Sequence, residues 1–206
     1  MASVVNTCSA LAPSGQPEVI ALLLAAGRGT RFGSDKRVAR LTDGRTLLAV
    51  SLARARQVFA EVWVVLRAED DAQALGLPAD TPIIRCHDAE LGMGHSLAAG
   101  VHALRAEPAT AIAVLLADMP GIQPASLVLL REQAGAERIV FPLYRGQRGH
   151  PVLFGRMFWQ ELTQLRGDEG ARTLLQAHGA ACHGLTLDDA GVLLDLDTPQ
   201  ALQQLL

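Results

Sequence analysis

Seven apolar residues, Val19-Ile20-Ala21-Leu22-Leu23-Leu24-Ala25, run without a polar break and lead into a glycine-rich loop. The run is well short of the ~18 residues that a membrane span needs. Bounded by glycine, it reads as a strand buried on both faces, the condition of a central strand in a parallel sheet. Val62–Leu66 and Ala111–Ala117 repeat the pattern, and shorter apolar stretches lie at 82–85, 138–142, 151–154 and 192–196. Helical spacing separates them at 46–60, 95–104, 124–134, 158–165 and 170–178, and Thr198-Pro199 has the form of an N-cap and first helical residue. Alternating strands and helices predict an α/β fold, a three-layer α/β/α sandwich around a mostly parallel sheet. The last apolar stretch, 192–196, is expected to close that sheet. In such folds ligands bind at the carboxyl ends of the strands. Four loops become candidates: 26–36, 86–95, 118–124 and 143–150.

The rest of the composition narrows the class. The chain has 206 residues, half of them hydrophobic and 19% charged, with a net charge of −3. This is a globular composition, and no Lys/Arg cluster marks a nucleic-acid surface. Neither a nucleic-acid partner nor a membrane is expected. Cys8, Cys86 and Cys182 are far apart with no C-x-x-C spacing, which argues against a disulfide framework and a zinc site. Residues 1–17 lack both periodicity and the basic start of a signal peptide. They read as a disordered extension before a single domain over 18–206, and the cytoplasm is the expected location.

The first loop carries the strongest chemical signal. Gly27, Gly29 and Gly33 allow a tight backbone whose N–H groups can approach a phosphate, and Arg31 and Lys36 add two cations. It is not a P-loop, because no Gly-Lys-Ser/Thr exists in the chain. Nor is it the dinucleotide fingerprint, since Phe32 stands where the third glycine belongs and no acidic ribose binder follows about 20 residues later. An NAD(P)-dependent reductase is disfavoured on this ground.

The pattern from Leu24-Ala25-Ala26-Gly27 through Arg31 to Lys36 resembles the nucleotidyltransferases that build sugar nucleotides and cofactors. Gly92-Met93-Gly94-His95-Ser96, Ala117-Asp118-Met119-Pro120, Arg148-Gly149-His150-Pro151, Gly167-Asp168-Glu169-Gly170-Ala171-Arg172 and Asp195-Leu196-Asp197-Thr198-Pro199 follow in family order. Together they are similar to the molybdenum cofactor cytidylyltransferase branch of the MobA-like family, over about 18–206. The resemblance implies transfer of a nucleoside monophosphate from an NTP, with CTP expected, to the phosphate of molybdopterin or its molybdenum form. A molybdenum oxidoreductase would be a further partner. The alternatives are a GTP-using enzyme of the same fold, another phosphorylated acceptor, or a non-catalytic carrier of nucleotide or cofactor.

Asp118 ends a buried strand, where a carboxylate suits Mg²⁺ as well as it suits an N-cap or turn. The resemblance makes it a magnesium ligand, with Asp197 the second. It also makes Arg31, Lys36 and Asp118 the catalytic set. Leu24, Ala25, Ala26, Gly27, Gly29, Thr30, Gly94 and Ser96 would surround the nucleotide, and His150, Asp168 and Arg172 the acceptor. His95 stands where relatives carry a small residue. An intra-turn pair is the alternative for Asp168 and Arg172. No nucleophile–base arrangement occurs, and none is required: a phosphate monoester with a second pKa of ~6 is already a dianion at neutral pH. Positioning and charge neutralisation would carry the reaction.

Overall fold

The computed structural model describes residues 18–27, 35–41 and 43–196. Among these residues eight strands form one sheet: β1 Val19–Leu24, β2 Val62–Arg67, β3 Ile83–Cys86, β4 Ala111–Leu116, β5 Ile139–Tyr144, β6 Gln147–Arg148, β7 Val152–Gly155 and β8 Cys182–Thr186. Their order is β3-β2-β1-β4-β7-β5-β6, with β8 also on β5. The β3-β2-β1-β4 half is parallel, and β7 runs antiparallel to both β4 and β5.

The apolar run is central, as its composition requires. All six residues of β1 are buried between β2 and β4. Alternate residues enter opposite faces. Ala21 and Leu23 pack with Leu48 and Leu52 of α1 (Leu47–Arg56) and Leu127 and Leu130 of α3 (Pro124–Glu132). Ile20, Leu22 and Leu24 pack with Leu97, Val101 and Leu104 of α2 (Met93–Leu104), and with residues of α4 (Trp159–Leu162) and α5 (Arg172–Ala177). These are the three layers predicted from the sequence.

The expected closing strand is not formed. Ala190–Val192 is a 3₁₀ turn, 193–196 carries no strand, and β8 takes the place beside β5. The apolar character of 192–196 reflects burial by another route: Val192 and Leu196 are fully buried, Val192 in the core on the α1/α3 side. Asp189 secures the segment. Its carboxylate accepts from Gln123 N and Ser126 Oγ at the start of α3, and from Gly191 N. β8 escapes an apolar-pattern reading because, as an edge strand, it leaves its side chains partly or fully exposed. The helix expected at Thr198-Pro199 lies outside the described residues.

Gly149 fixes this segment against the sheet. A Cβ there would lie 2.2 Å from the Val192 carbonyl oxygen, and His150 N donates to that same oxygen. Backbone cannot yield as a side-chain tip can. Gly149→Ala should therefore cost about 1–3 kcal/mol, read as a fall of several degrees in thermal midpoint. Gly179→Ala, where a Cβ meets nothing within 4 Å, should leave the midpoint in place.

Candidate functional site

Leu24 and Leu116 are paired in register, so the chain leaves β1 and β4 side by side. Asp118 stands two residues beyond β4. Its backbone is held from both sides: Ser51 Oγ donates to Ala117 O at 2.8 Å, and Leu196 N donates to Asp118 O at 3.0 Å. Lys36, in a 3₁₀ turn over Lys36–Val38, returns to place Nζ 2.5 Å from Asp118 Oδ2. Both side chains retain partial access, 14% for Lys36 and 20% for Asp118. The structure therefore joins two sequence-assigned catalytic residues that are 82 positions apart.

The exit from β1 is tied down by residues to which the sequence reading gave no role. Arg37 is buried and donates to Ala25 O at 2.8 Å, to both oxygens of Asp35, and to both oxygens of Asp70. Arg67 donates to Ala26 O and Gly27 O, and its own N–H is taken by Asp70. Burial alone would weaken the Arg37 cation, but the Asp35 and Asp70 carboxylates more than offset it and hold its pKa above the ordinary value. Burial would likewise raise both carboxyls, yet Arg37 keeps them below 3.8.

A cavity of about 190 Å³ opens on the α2 side of the same strand ends. Leu24, Leu97, Leu116, Val152 and Phe154 give it an apolar floor, and Met93, Arg148, His150, Glu169 and Arg172 are among its polar and flexible walls. Arg148 also stacks 4.8 Å from the Phe141 ring. Burial depresses the His150 pKa from 6.5, opposed by the carboxylates of Asp118 and Asp195. The ring is therefore neutral at pH 7, and among the described residues its buried Nδ1 has no hydrogen-bond partner. His150 thus links the cavity electrostatically to Asp118.

The other assigned residues separate into different tasks. Gly94 and Ser96 begin α2, and Ser96 is buried. Gly94 N donates to Gly167 O at 2.8 Å, while Gly167 N donates to His95 Nδ1 at 3.3 Å, so one peptide segment is clasped from both ends. The glycines are required by contact. A Cβ on Gly94 would lie 2.8 Å from Arg166 O, and one on Gly92, at φ +118°, would lie 2.4 Å from Asp168 Oδ1. Asp168 accordingly packs on Gly92, and among the described residues it makes no ion pair with Arg172, which lines the cavity. Gly29, Thr30, Arg31 and Asp197 lie outside the described residues. The strand that was to carry Asp197 to the sheet edge is the one not formed.

Arg37, Arg67 and Asp70 left no readable motif, because their partners are backbone carbonyls and a turn carboxylate far along the chain. Arg148 and Met93 lie inside quoted motifs but became cavity residues only once the strands were paired. The described residues contain no group of three His, Cys, Asp or Glu able to cage a metal. Mg²⁺ needs no such cage, since one or two carboxylates and substrate phosphates suffice, and Asp118 offers a hard oxygen at this position.

Removing Asp70 leaves the buried Arg37 with one of its two carboxylates, Asp35. Asp70→Asn should cost about 2 kcal/mol at pH 7, the scale of lost hydrogen bonds to a charged group. The stabilisation from Asp35 and Asp70 is complete above their unfolded pKa of 3.8 and is lost as pH falls through their lower folded values. The gap in thermal midpoint between wild type and Asp70→Asn should therefore shrink below about pH 4.

Comparison with known proteins places this fold in a family. The model of the MobA-like NTP transferase domain matches residues 21–182. The purine catabolism protein PucB of Bacillus subtilis is 33% identical over 89% of this chain and 94% of its own length. The nicotine blue oxidoreductase of Paenarthrobacter nicotinovorans is 30% identical over 92% of this chain and 97% of its own. The crystal structure of Rv0371c from Mycobacterium tuberculosis superposes with a TM-score of 0.80 at 31% identity, covering 93% of this chain and 98% of that one. A second structure of Rv0371c is a complex with manganese, with a TM-score of 0.77 at 29% identity over 92% and 98% of the two chains. With fold and sequence in agreement, the chain belongs to the MobA-like NTP transferase family and is a nucleotidyltransferase.

Proposed function

We propose that the chain is a Mg²⁺-dependent cytidylyltransferase that joins the CMP of CTP to the phosphate of molybdopterin or its molybdenum form. An acceptor phosphate oxygen attacks the α-phosphorus of CTP. The bond from that phosphorus to the α,β-bridging oxygen breaks, and pyrophosphate leaves. The observation that carries the reading is the Lys36–Asp118 pair beside a cavity walled by Arg148, His150 and Arg172.

Each group has a task that its chemistry allows. Lys36 neutralises phosphate oxygens in line with the developing charge, with Arg31 as the second cation of the loop. Ala25, Ala26, Gly27, Gly29 and Thr30 line the polyphosphate path. Asp118, with Asp197 as second ligand, would hold Mg²⁺, which when bound supplies charge neutralisation at the phosphates. In the protein alone Lys36 occupies Asp118, and that contact holds the carboxylate in place. Arg172 and Arg148 present cations to an anionic acceptor, and guanidinium suits phosphate oxygens bidentately. The apolar floor accepts a ring system and excludes water, and neutral His150 offers a hydrogen bond without adding charge.

The base rests on Leu24-Ala25-Ala26-Gly27, where guanylyl-transferring relatives usually carry Leu-Ala-Gly-Gly. The name of the Paenarthrobacter relative favours a second reading, a redox role, in which a nicotinamide cofactor would bind. A fluorescence titration with NADPH separates the two, since the cytidylyltransferase reading expects no binding. In the described residues no helix is long and apolar enough to cross a membrane.

Lys36→Ala should reduce turnover by about 10²-fold, the scale of losing one transition-state donor. Asp118→Asn should reduce it at least as far and abolish the response to Mg²⁺. Steady-state pyrophosphate release with the molybdenum cofactor precursor measures both. The kcat/KM for CTP should exceed that for GTP, and a ratio favouring GTP would move the chain to another branch of the family.

A further inference from the structure

The carbonyls that follow β1 break the alternation of a strand. At the end of β1 the peptide between Leu24 and Ala25 keeps the strand pattern: Ala25 N donates to Val65 O on the β2 side, while Leu24 O accepts from Ala117 N on the β4 side. Ala25 O then points back to the β2 side, where Arg37 Nη1 meets it at 2.8 Å. A regular strand would turn the next carbonyl toward β4. Instead Ala26 O also points to the β2 side and accepts from Arg67 Nε at 3.0 Å, and Gly27 O accepts from Arg67 Nη2.

This has a consequence for the N–H groups. In a trans peptide the C=O and the following N–H point in opposite directions. Two successive carbonyls held toward β2 therefore aim the N–H groups of Ala26 and Gly27 toward β4, the side on which Asp118 and Lys36 meet. Successive N–H groups on one side form an anion-binding concavity. Among the described residues a Cβ on Gly27 would meet nothing within 4 Å.

We propose that Arg67 and Arg37 are positioning residues that hold the β1-exit carbonyls from behind and so orient the Ala26 and Gly27 N–H groups for the polyphosphate of the nucleotide. The inference rests on the nucleotidyltransferase reading, but it assigns a task to two residues outside the glycine-rich motif. Asp70 is the common anchor: it accepts from Arg37 and from the Arg67 backbone, so both latches answer to the turn after β2. Arg67 reaches two carbonyls with two different nitrogens. A lysine at that position would keep the charge but could serve only one of them well.

The test is calorimetric titration of inorganic triphosphate with Mg²⁺ into the full chain, comparing wild type, Arg67→Lys and Arg37→Lys. Arg67 is only half-buried, so Arg67→Lys should keep a thermal midpoint within about 2 °C of wild type. Its triphosphate Kd should nevertheless rise about tenfold. In turnover its KM for CTP should rise while the KM for the acceptor stays constant, a split that a general loss of structure would not give. Arg37→Lys should weaken triphosphate binding and also lower the midpoint, because its site is buried. Wild-type triphosphate affinity in Arg67→Lys would overturn the proposal, as would an absence of triphosphate binding by wild type. If wild type binds triphosphate, Arg67→Lys binds it weakly, and no NTP yields pyrophosphate with acceptor, the latch stands and the transfer reading fails.

Discussion

The pairing of β1 with β4 is the constraint on which the site depends. Their register sets Leu24 beside Leu116, so Ala25–Gly27 and Asp118 leave the sheet as neighbours. Everything chemical is then built outward from two adjacent strand ends. Lys36 closes over Asp118 from the far side of the loop, and the Leu196 amide fixes the Asp118 backbone. A one-residue slip between these strands would send alternate side chains to the wrong face and separate the two exits together.

The two faces of the sheet divide the work. On the α1/α3 face, Ser51 and the buried Arg37–Asp70 system stabilise the exits of β1 and β4. On the α2 face, packing leaves a cavity where β7 and the segment after Gly167 meet the strand ends. His150 lies at the junction, within the field of Asp118 and Asp195 while lining the cavity. A reaction that joins two polyanions needs this arrangement: one cationic cradle, a second cationic pocket, and a short path between them from which water can be kept.

Much of this was legible in the chain because its signals were local. Uninterrupted apolar runs marked β1, β2 and β4, helical spacing marked α1, α2 and α3, and the glycine-rich loop marked the exit of β1. Legibility failed where burial came from long-range contact. Val192 and Leu196 were apolar because both are buried without forming a strand, and β8 was hidden because an edge strand need not be apolar. The missing side chains of Gly92 and Gly94 make room for Arg166–Asp168, a contact that no local pattern announces. Arg37 and Arg67 carried no signal at all, since a carbonyl acceptor leaves no trace in a residue pattern. Lys36 and Asp118 were each readable, but their contact was not, because it depends on how far the loop between them returns.

The central claim is that the chain moves the α-phosphate of a nucleotide to an acceptor phosphate. Following isotopic label from CTP tests it most directly, using α-³²P and γ-³²P forms with molybdopterin, Mg²⁺ and the wild-type chain. The account predicts α label in the acceptor product and γ label in pyrophosphate, with both lost in Asp118→Asn. Label from the γ position in the acceptor, or none from either position with any NTP, would contradict it.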